Sequence, residues 1–151
     1  MAGRFENNSI VVDLEISSLT SDQINKKIPV ILDTGFTSDL CLTYQEAFPL
    51  ALTLVGFEDY NIADGSKVTF FECLGMVKFG NQKVLSSISI RPSGSLLMGV
   101  SLLRKLKCRV NVDFENSIID IQQPPIIPIT PIKSTTQLKV PIQPATTKKI
   151  S

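Results

Sequence analysis

The segment Ile31-Leu32-Asp33-Thr34-Gly35 puts a carboxylate at the end of a short apolar run, with a hydroxyl and a glycine directly behind it. A buried strand ending there would hold the acid in a turn lined by backbone amides, a setting suited to proton transfer. Taken alone, the tripeptide also fits a plain turn in which Asp33 caps its own backbone. The chain has no histidine. That absence excludes Ser-His-Asp and Cys-His catalysis, the His-Glu-x-x-His metalloprotease motif and most catalytic zinc sites. Chemistry must then come from carboxylates, Lys, Tyr, Ser or a thiol. The three cysteines, Cys41, Cys73 and Cys108, are odd in number and widely spaced. They fit neither a disulfide framework nor a zinc site and are expected as buried, reduced thiols.

A second segment lies about 65 residues further on, a distance that suits one compact domain. It reads Leu96-Leu97-Met98-Gly99, then a helical stretch over Val100–Lys107, then Val110-Asn111-Val112-Asp113-Phe114. Within the stretch, Leu102, Leu103 and Leu106 share a helix face. Arg104, Lys105 and Lys107 crowd its end, where cations suit the dipole and a solvated role is expected. The elements between are short and rich in β-branched and apolar residues. Strands are expected over residues 9–19, 28–32 and 40–42, and one helical turn broken by Pro49 within 44–54. A long hairpin is expected around Ala63-Asp64-Gly65-Ser66, because glycine accepts positive φ without steric cost. Another is expected around Gly80-Asn81-Gln82, and closing strands at 109–114 and 118–121. Many short strands with one short helix predict an all-β fold, a small closed β-barrel. Asp13, Asp39, Asp64, Asp113 and Asp120 are expected as surface or turn acids, and Tyr44 and Tyr60 as half-buried packing residues.

Taken in order, these features resemble the retropepsin-like aspartic proteases. They are an apolar strand, Asp-Thr-Gly, a Gly-tipped hairpin, an apolar-apolar-Gly segment, a Leu-Leu helix and a closing strand. The likeness covers residues 9–121, and Asp-Thr-Gly-Phe-Thr with a later Ala-Asp-Gly-Ser is similar to the microbial cellular branch. The resemblance implies an aspartic endopeptidase that needs no metal and no cofactor, acting on peptide or protein substrates. It makes Asp33 the catalytic carboxylate. Thr34 would bond across a dimer to stiffen two active-site loops, and Gly35 would let substrate backbone approach. Leu97, Met98 and Gly99 would brace the loop from beneath, and Ala63, Asp64, Gly65 and Ser66 would form the tip of a flap. Only one Asp-Thr-Gly is present, and 151 residues leave no room for a second lobe. The second aspartate must therefore come from another copy, in a homodimer. The sequence departs from the pattern at Phe36, Thr37 and Val100, where many retropepsins carry Ala, Asp and Arg. The paired charges are missing together. A catalytically inactive retropepsin-like module for dimerisation or peptide binding is the alternative.

Residues 1–120 hold 11 Lys/Arg against all 14 Asp/Glu, a net of −3, and residues 121–151 hold four Lys and no acid. The overall charge of +1 gives no electrostatic case for nucleic acid or membrane as a partner. No apolar run approaches the roughly 20 residues of a membrane helix, and the N-terminal residues lack a signal-peptide pattern, so a cytoplasmic protein is expected. Six of the nine prolines fall at 124, 125, 128, 131, 141 and 144. Proline removes a backbone donor, so residues 123–151 are expected as an extended, basic tail behind a domain of residues 1–122. Three Pro-x-x-Pro spacings occur there.

Overall fold

A computed structural model describes residues 2–126, so from residue 127 onward the expected tail lies outside the described residues. Ten strands and two short helices follow in chain order. They are β1 (Arg4–Glu6), β2 (Ser9–Ser17), β3 (Asn25–Leu32), β4 (Leu40–Thr43), α1 (Tyr44–Ala47), β5 (Thr53–Asn61), β6 (Lys67–Phe79), β7 (Gln82–Arg91), β8 (Leu97–Met98), α2 (Val100–Lys105), β9 (Arg109–Asp113) and β10 (Ile118–Gln122). The larger sheet runs β1-β2-β3-β8-β4-β7-β6-β5, and β2 also pairs with β6. That extra pairing closes β2, β3, β8, β4, β7 and β6 into a ring, the small barrel the strand pattern predicts. β9 and β10 form a separate hairpin.

Local chemistry explains most boundaries. Asn7 and Asn8 both take positive φ, at 47° and 63°, and turn β1 back onto β2. Such a two-residue turn matches the twist of paired strands. Gly80 turns β6 into β7 at φ 59°. β3 contains Pro29, which a central strand excludes. Here β8 reaches only Ile31 and Leu32, so the far side of Pro29 is an open edge. α1 ends at Ala47 and gives way to a 3₁₀ turn, Phe48–Leu50, that contains Pro49, so the helical stretch breaks beside the proline as expected. α2 stops at Lys105, two residues short of the expected end, because Lys107 takes positive φ.

The barrel interior is filled by alternating residues. Leu14, Ile16, Leu40, Leu42, Ile88 and Met98 are among the side chains with essentially no exposure. Leu102 of α2, Leu106 just after it, and Ile119 and Ile121 of β10 close its end. Cys41 and Cys73 are buried and Cys108 is half-buried, all three unpaired. Tyr44 is half-buried as expected. Tyr60 is not, being 48% exposed with its ring edge-on to Phe70 at 4.9 Å. It lies on β5, which has a neighbour on one side only. No described helix is long and apolar enough to cross a membrane.

Candidate active site

Asp33 stands where β3 ends, and the loop behind it is fixed almost wholly by backbone bonds. β8 slots between β3 and β4, parallel to the first and antiparallel to the second. The Asp33 N–H donates to the Met98 carbonyl at 2.9 Å, and the Ile31 N–H to the Leu96 carbonyl at 2.8 Å. The Gly99 N–H donates to the Asp39 carbonyl and the Val100 N–H to the Phe36 carbonyl, both at 2.9 Å. The start of α2 is thereby bolted onto the loop between Asp33 and Leu40. Contact is close enough that a Cβ at Gly99 would lie 2.1 Å from the Ser38 carbonyl oxygen and 2.5 Å from that of Phe36. No side chain fits there without moving backbone, which is why glycine follows the apolar pair.

Six of the residues singled out from the sequence meet at this point: Asp33, Thr34, Gly35, Leu97, Met98 and Gly99. Asp33 is half-buried, and its Oδ1 accepts the Gly35 N–H at 2.8 Å. That is the cap of a simple turn, and it also orients the carboxylate. Thr34 is exposed and its side chain makes no hydrogen bond among the described residues. The strand register assigns the faces, because paired residues share a side and alternate along each strand. Met98, Leu40, Ile88 and Cys73 lie in one row and are buried in the core. Ile31, Leu97, Cys41, Ser89 and Glu72 form the row on the opposite face. Asp33 continues the alternation of Ile31 onto that second face. The row ends at a pocket of about 380 Å³ lined by Glu58, Tyr60, Phe70, Glu72 and Ser89.

The expected flap residues lie elsewhere in the chain. Ala63, Asp64, Gly65 and Ser66 form the exposed tip of the β5–β6 hairpin. Gly65 has φ 84°, the Gly65 N–H donates to the Ile62 carbonyl, and Asp64 Oδ1 accepts from both the N–H and the hydroxyl of Ser66. Those Ser66 bonds hold the Asp64 carboxyl below the usual carboxylate range. Among the described residues no hydrogen bond joins this tip to the Asp33 loop. Phe57 and Ile62 leave apolar surface exposed along the β5 arm.

One expectation is corrected. Asp39 is not a surface acid; it is 2% exposed. Its Oδ2 accepts the Ser87 N–H at 2.9 Å and pairs with the Lys105 ammonium. Burial pushes the Asp39 carboxyl up, but Lys105, the Ser101 hydroxyl and the Ser87 amide together outweigh it and hold the group below its usual range. Lys105 is correspondingly no free solvated cation. The pair ties the loop carrying Asp33 to α2 and β7. Thr37 and Val100 carry no charge, and Asp39 with Lys105 forms the ion pair between this loop and α2. A partial signal of this burial is local. Asp39 sits directly before the fully apolar Leu40-Cys41-Leu42, so its neighbour is drawn inward. The partner lies 66 residues away, and no local pattern marks it.

Comparison with known proteins gives a fold. No family model matches the chain, and no curated protein matches it. Among solved structures it is similar to the EIAV protease complexed with the inhibitor HBY-793, at a TM-score of 0.50 and 16% identity. The match covers 70% of this chain and 95% of that one. At that identity the likeness shows the architecture alone: this chain has a retropepsin-like β fold.

Proposed function

We propose, from a retropepsin-like fold that positions a single Asp33, that the protein is an aspartic endopeptidase working as a homodimer. The observation that carries this reading is the seating of Asp33. Its backbone is locked to Met98, its Oδ1 is oriented by the Gly35 amide, and it lies on the half-buried face rather than in the core. Two such carboxylates, one from each copy, brought within hydrogen-bond distance cannot both ionise at low cost. They share one proton, so the dyad titrates as a unit. The ionised partner draws a proton from water, the water attacks the peptide carbonyl, and the protonated partner donates to the leaving amide. In this reading Thr34 bonds across the dimer, Gly35 admits substrate backbone, and Leu97, Met98 and Gly99 hold the loop in place. The tip at Ala63, Asp64, Gly65 and Ser66 closes over a peptide laid across the Asp33 loop. Three unpaired cysteines suit a reducing compartment such as the cytoplasm.

Incubation with a diverse peptide mixture from acidic to neutral pH, followed by mass spectrometry, tests the assignment. A proton-sharing dyad should give a bell-shaped rate profile with its optimum below neutrality. A rate that climbs steadily into alkaline pH would contradict it. Absence of any cleavage, with dimers present, would favour the non-catalytic dimerisation or peptide-binding module.

A further inference from the structure

One apolar row runs out of the barrel along the strand register. Leu42 of β4 pairs with Ile90 of β7, Ile90 with Phe71 of β6, and Phe71 with Phe57 of β5. Paired residues share a face, so this row continues the core side of the sheet. Leu42 and Ile90 are buried, Phe71 is half-buried and Phe57 is 64% exposed. The core face therefore emerges from under its cover at β5. α1 and the 3₁₀ turn after it shield only part of it. Tyr44 stacks on Phe48 at 4.9 Å, and the Tyr44 and Phe71 ring centroids are 5.7 Å apart. Phe48 is nevertheless 59% exposed. Beside these rings lies an open apolar groove of about 210 Å³, lined by Phe48, Leu52, Leu54, Phe71, Cys73 and Ile90. Glu58, Tyr60 and Glu72 lie on the other face of the β5–β6 arm, the face that Asp33 shares.

An aromatic-walled groove suits a proline-containing segment in polyproline conformation, because proline fixes φ in advance and little freedom is lost on docking. The chain carries such a segment beyond Ile126, where the described residues end. Residues 138–144 read Leu138-Lys139-Val140-Pro141-Ile142-Gln143-Pro144. A polyproline helix has three residues per turn, which would align Leu138, Pro141 and Pro144 on one apolar ridge and set Lys139 off it. Charge matches as well as shape. Asp59 shares the Phe57 face of β5 and is exposed. The Thr69 hydroxyl donates to it at 2.7 Å, and among the described residues no cation pairs with it. Length also suffices. From Ile126 to Leu138 an extended chain covers up to roughly 37 Å, at about 3.1 Å per residue. That is comparable with the breadth of a domain whose radius of gyration is about 14 Å. Tethering gives the segment an effective concentration of millimolar order, an advantage no free partner has.

We infer that this groove is the docking site of the chain's own residues 138–144, with Leu138, Pro141 and Pro144 over the Phe48 and Phe71 rings and Lys139 toward Asp59. A seated tail covers the emergent core face. It also braces the arm that carries the Asp64-Gly65 tip, from the side opposite Asp33. The inference goes beyond the proposed activity and does not rest on it.

The chain has no tryptophan. Phe48→Trp therefore places a single fluorophore in the groove wall, at a position already open to solvent. Acrylamide quenching is measured on this full chain over a range of concentrations. It is repeated on the same chain carrying Leu138→Ser, Pro141→Ser and Pro144→Ser together. The intact tail should lower the quenching constant roughly threefold, equivalent to about two-thirds occupancy, and the effect should not depend on concentration. Equal quenching in the two chains would overturn the inference. So would shielding that survives the three serines, which would mean a different occupant. Shielding that grows with concentration would place a second copy in the groove and overturn it too. Hydrogen exchange makes the same comparison with Phe48 in place, so the test stands even if Phe48→Trp does not fold. Amides over residues 48–57 should exchange more slowly with the native tail than with the serine-substituted one. Equal exchange would contradict the docking. Neither measurement reads peptide cleavage, so failure here leaves the proposed activity standing.

Discussion

Asp33→Asn should lower peptide cleavage by about 10³-fold or more, in line with the loss of a positioned general acid–base, and leave the fold in place. Asparagine keeps the side-chain oxygen that accepts the Gly35 amide, and the Asp33 N–H still reaches the Met98 carbonyl. What it loses is the exchangeable proton. Stability should therefore change by no more than about 1 kcal/mol, the size of an ordinary substitution at a half-buried position. Paired measurements of cleavage rate and thermal denaturation separate the two effects. Cleavage at the wild-type rate in a folded variant would remove Asp33 from the chemistry.

Lys105→Met should destabilise the protein by about 2 kcal/mol at neutral pH, and by less as the pH falls. Asp39 is 2% exposed, so removing its cation leaves a buried charge unpaired. A fully buried pair broken in this way costs roughly 3–5 kcal/mol. The Lys105 side chain is 42% exposed, so water already screens it and the loss is smaller. In the wild type the Asp39 carboxyl sits below its usual range. Its contribution is thus complete above the unfolded carboxylate pKa and is lost only as the pH drops through the lowered value. The pair therefore persists into the mildly acidic range in which a proton-sharing dyad works. Without Lys105, burial dominates, the carboxyl takes up its proton at higher pH, and the penalty shrinks. Chemical denaturation at pH 7 and near pH 4 measures this difference, and Lys105→Arg should retain most of the stability. An equal loss at both pH values would show that Lys105 acts through packing alone.

The parts of this fold legible in the sequence are those written locally. Asp64-Gly65 and Gly80-Asn81 mark their hairpins because the turns themselves require those residues. The Asp33 loop and the Leu97-Met98-Gly99 segment are legible as two apolar runs that each end at a residue with a special task. The packing of Gly99 against the Ser38 and Phe36 carbonyls then explains why the second run ends in glycine. What escaped is short or distant. β1 has three residues, too few for alternation to show. β3 starts at Asn25, earlier than its apolar run, because Lys26 and Lys27 lie on a part of the strand that pairs only with β2. The pairing of Asp39 with Lys105 is not legible locally: the run Leu40-Cys41-Leu42 draws Asp39 inward, but only the closure of the barrel around β4, β7 and α2 brings Lys105 to it.

In the proposed dimer, one Asp33 from each of two copies forms a single site. Asp33→Asn chain is titrated into a fixed amount of wild type, with subunit exchange confirmed by differently tagged copies, and cleavage is followed per wild-type chain. Random pairing at equal amounts makes roughly half of the dimers mixed and about a quarter wild type. Activity per wild-type chain should then fall to roughly half, and further with each addition of variant. Activity that stays flat across the titration, with exchange established, would contradict the shared site.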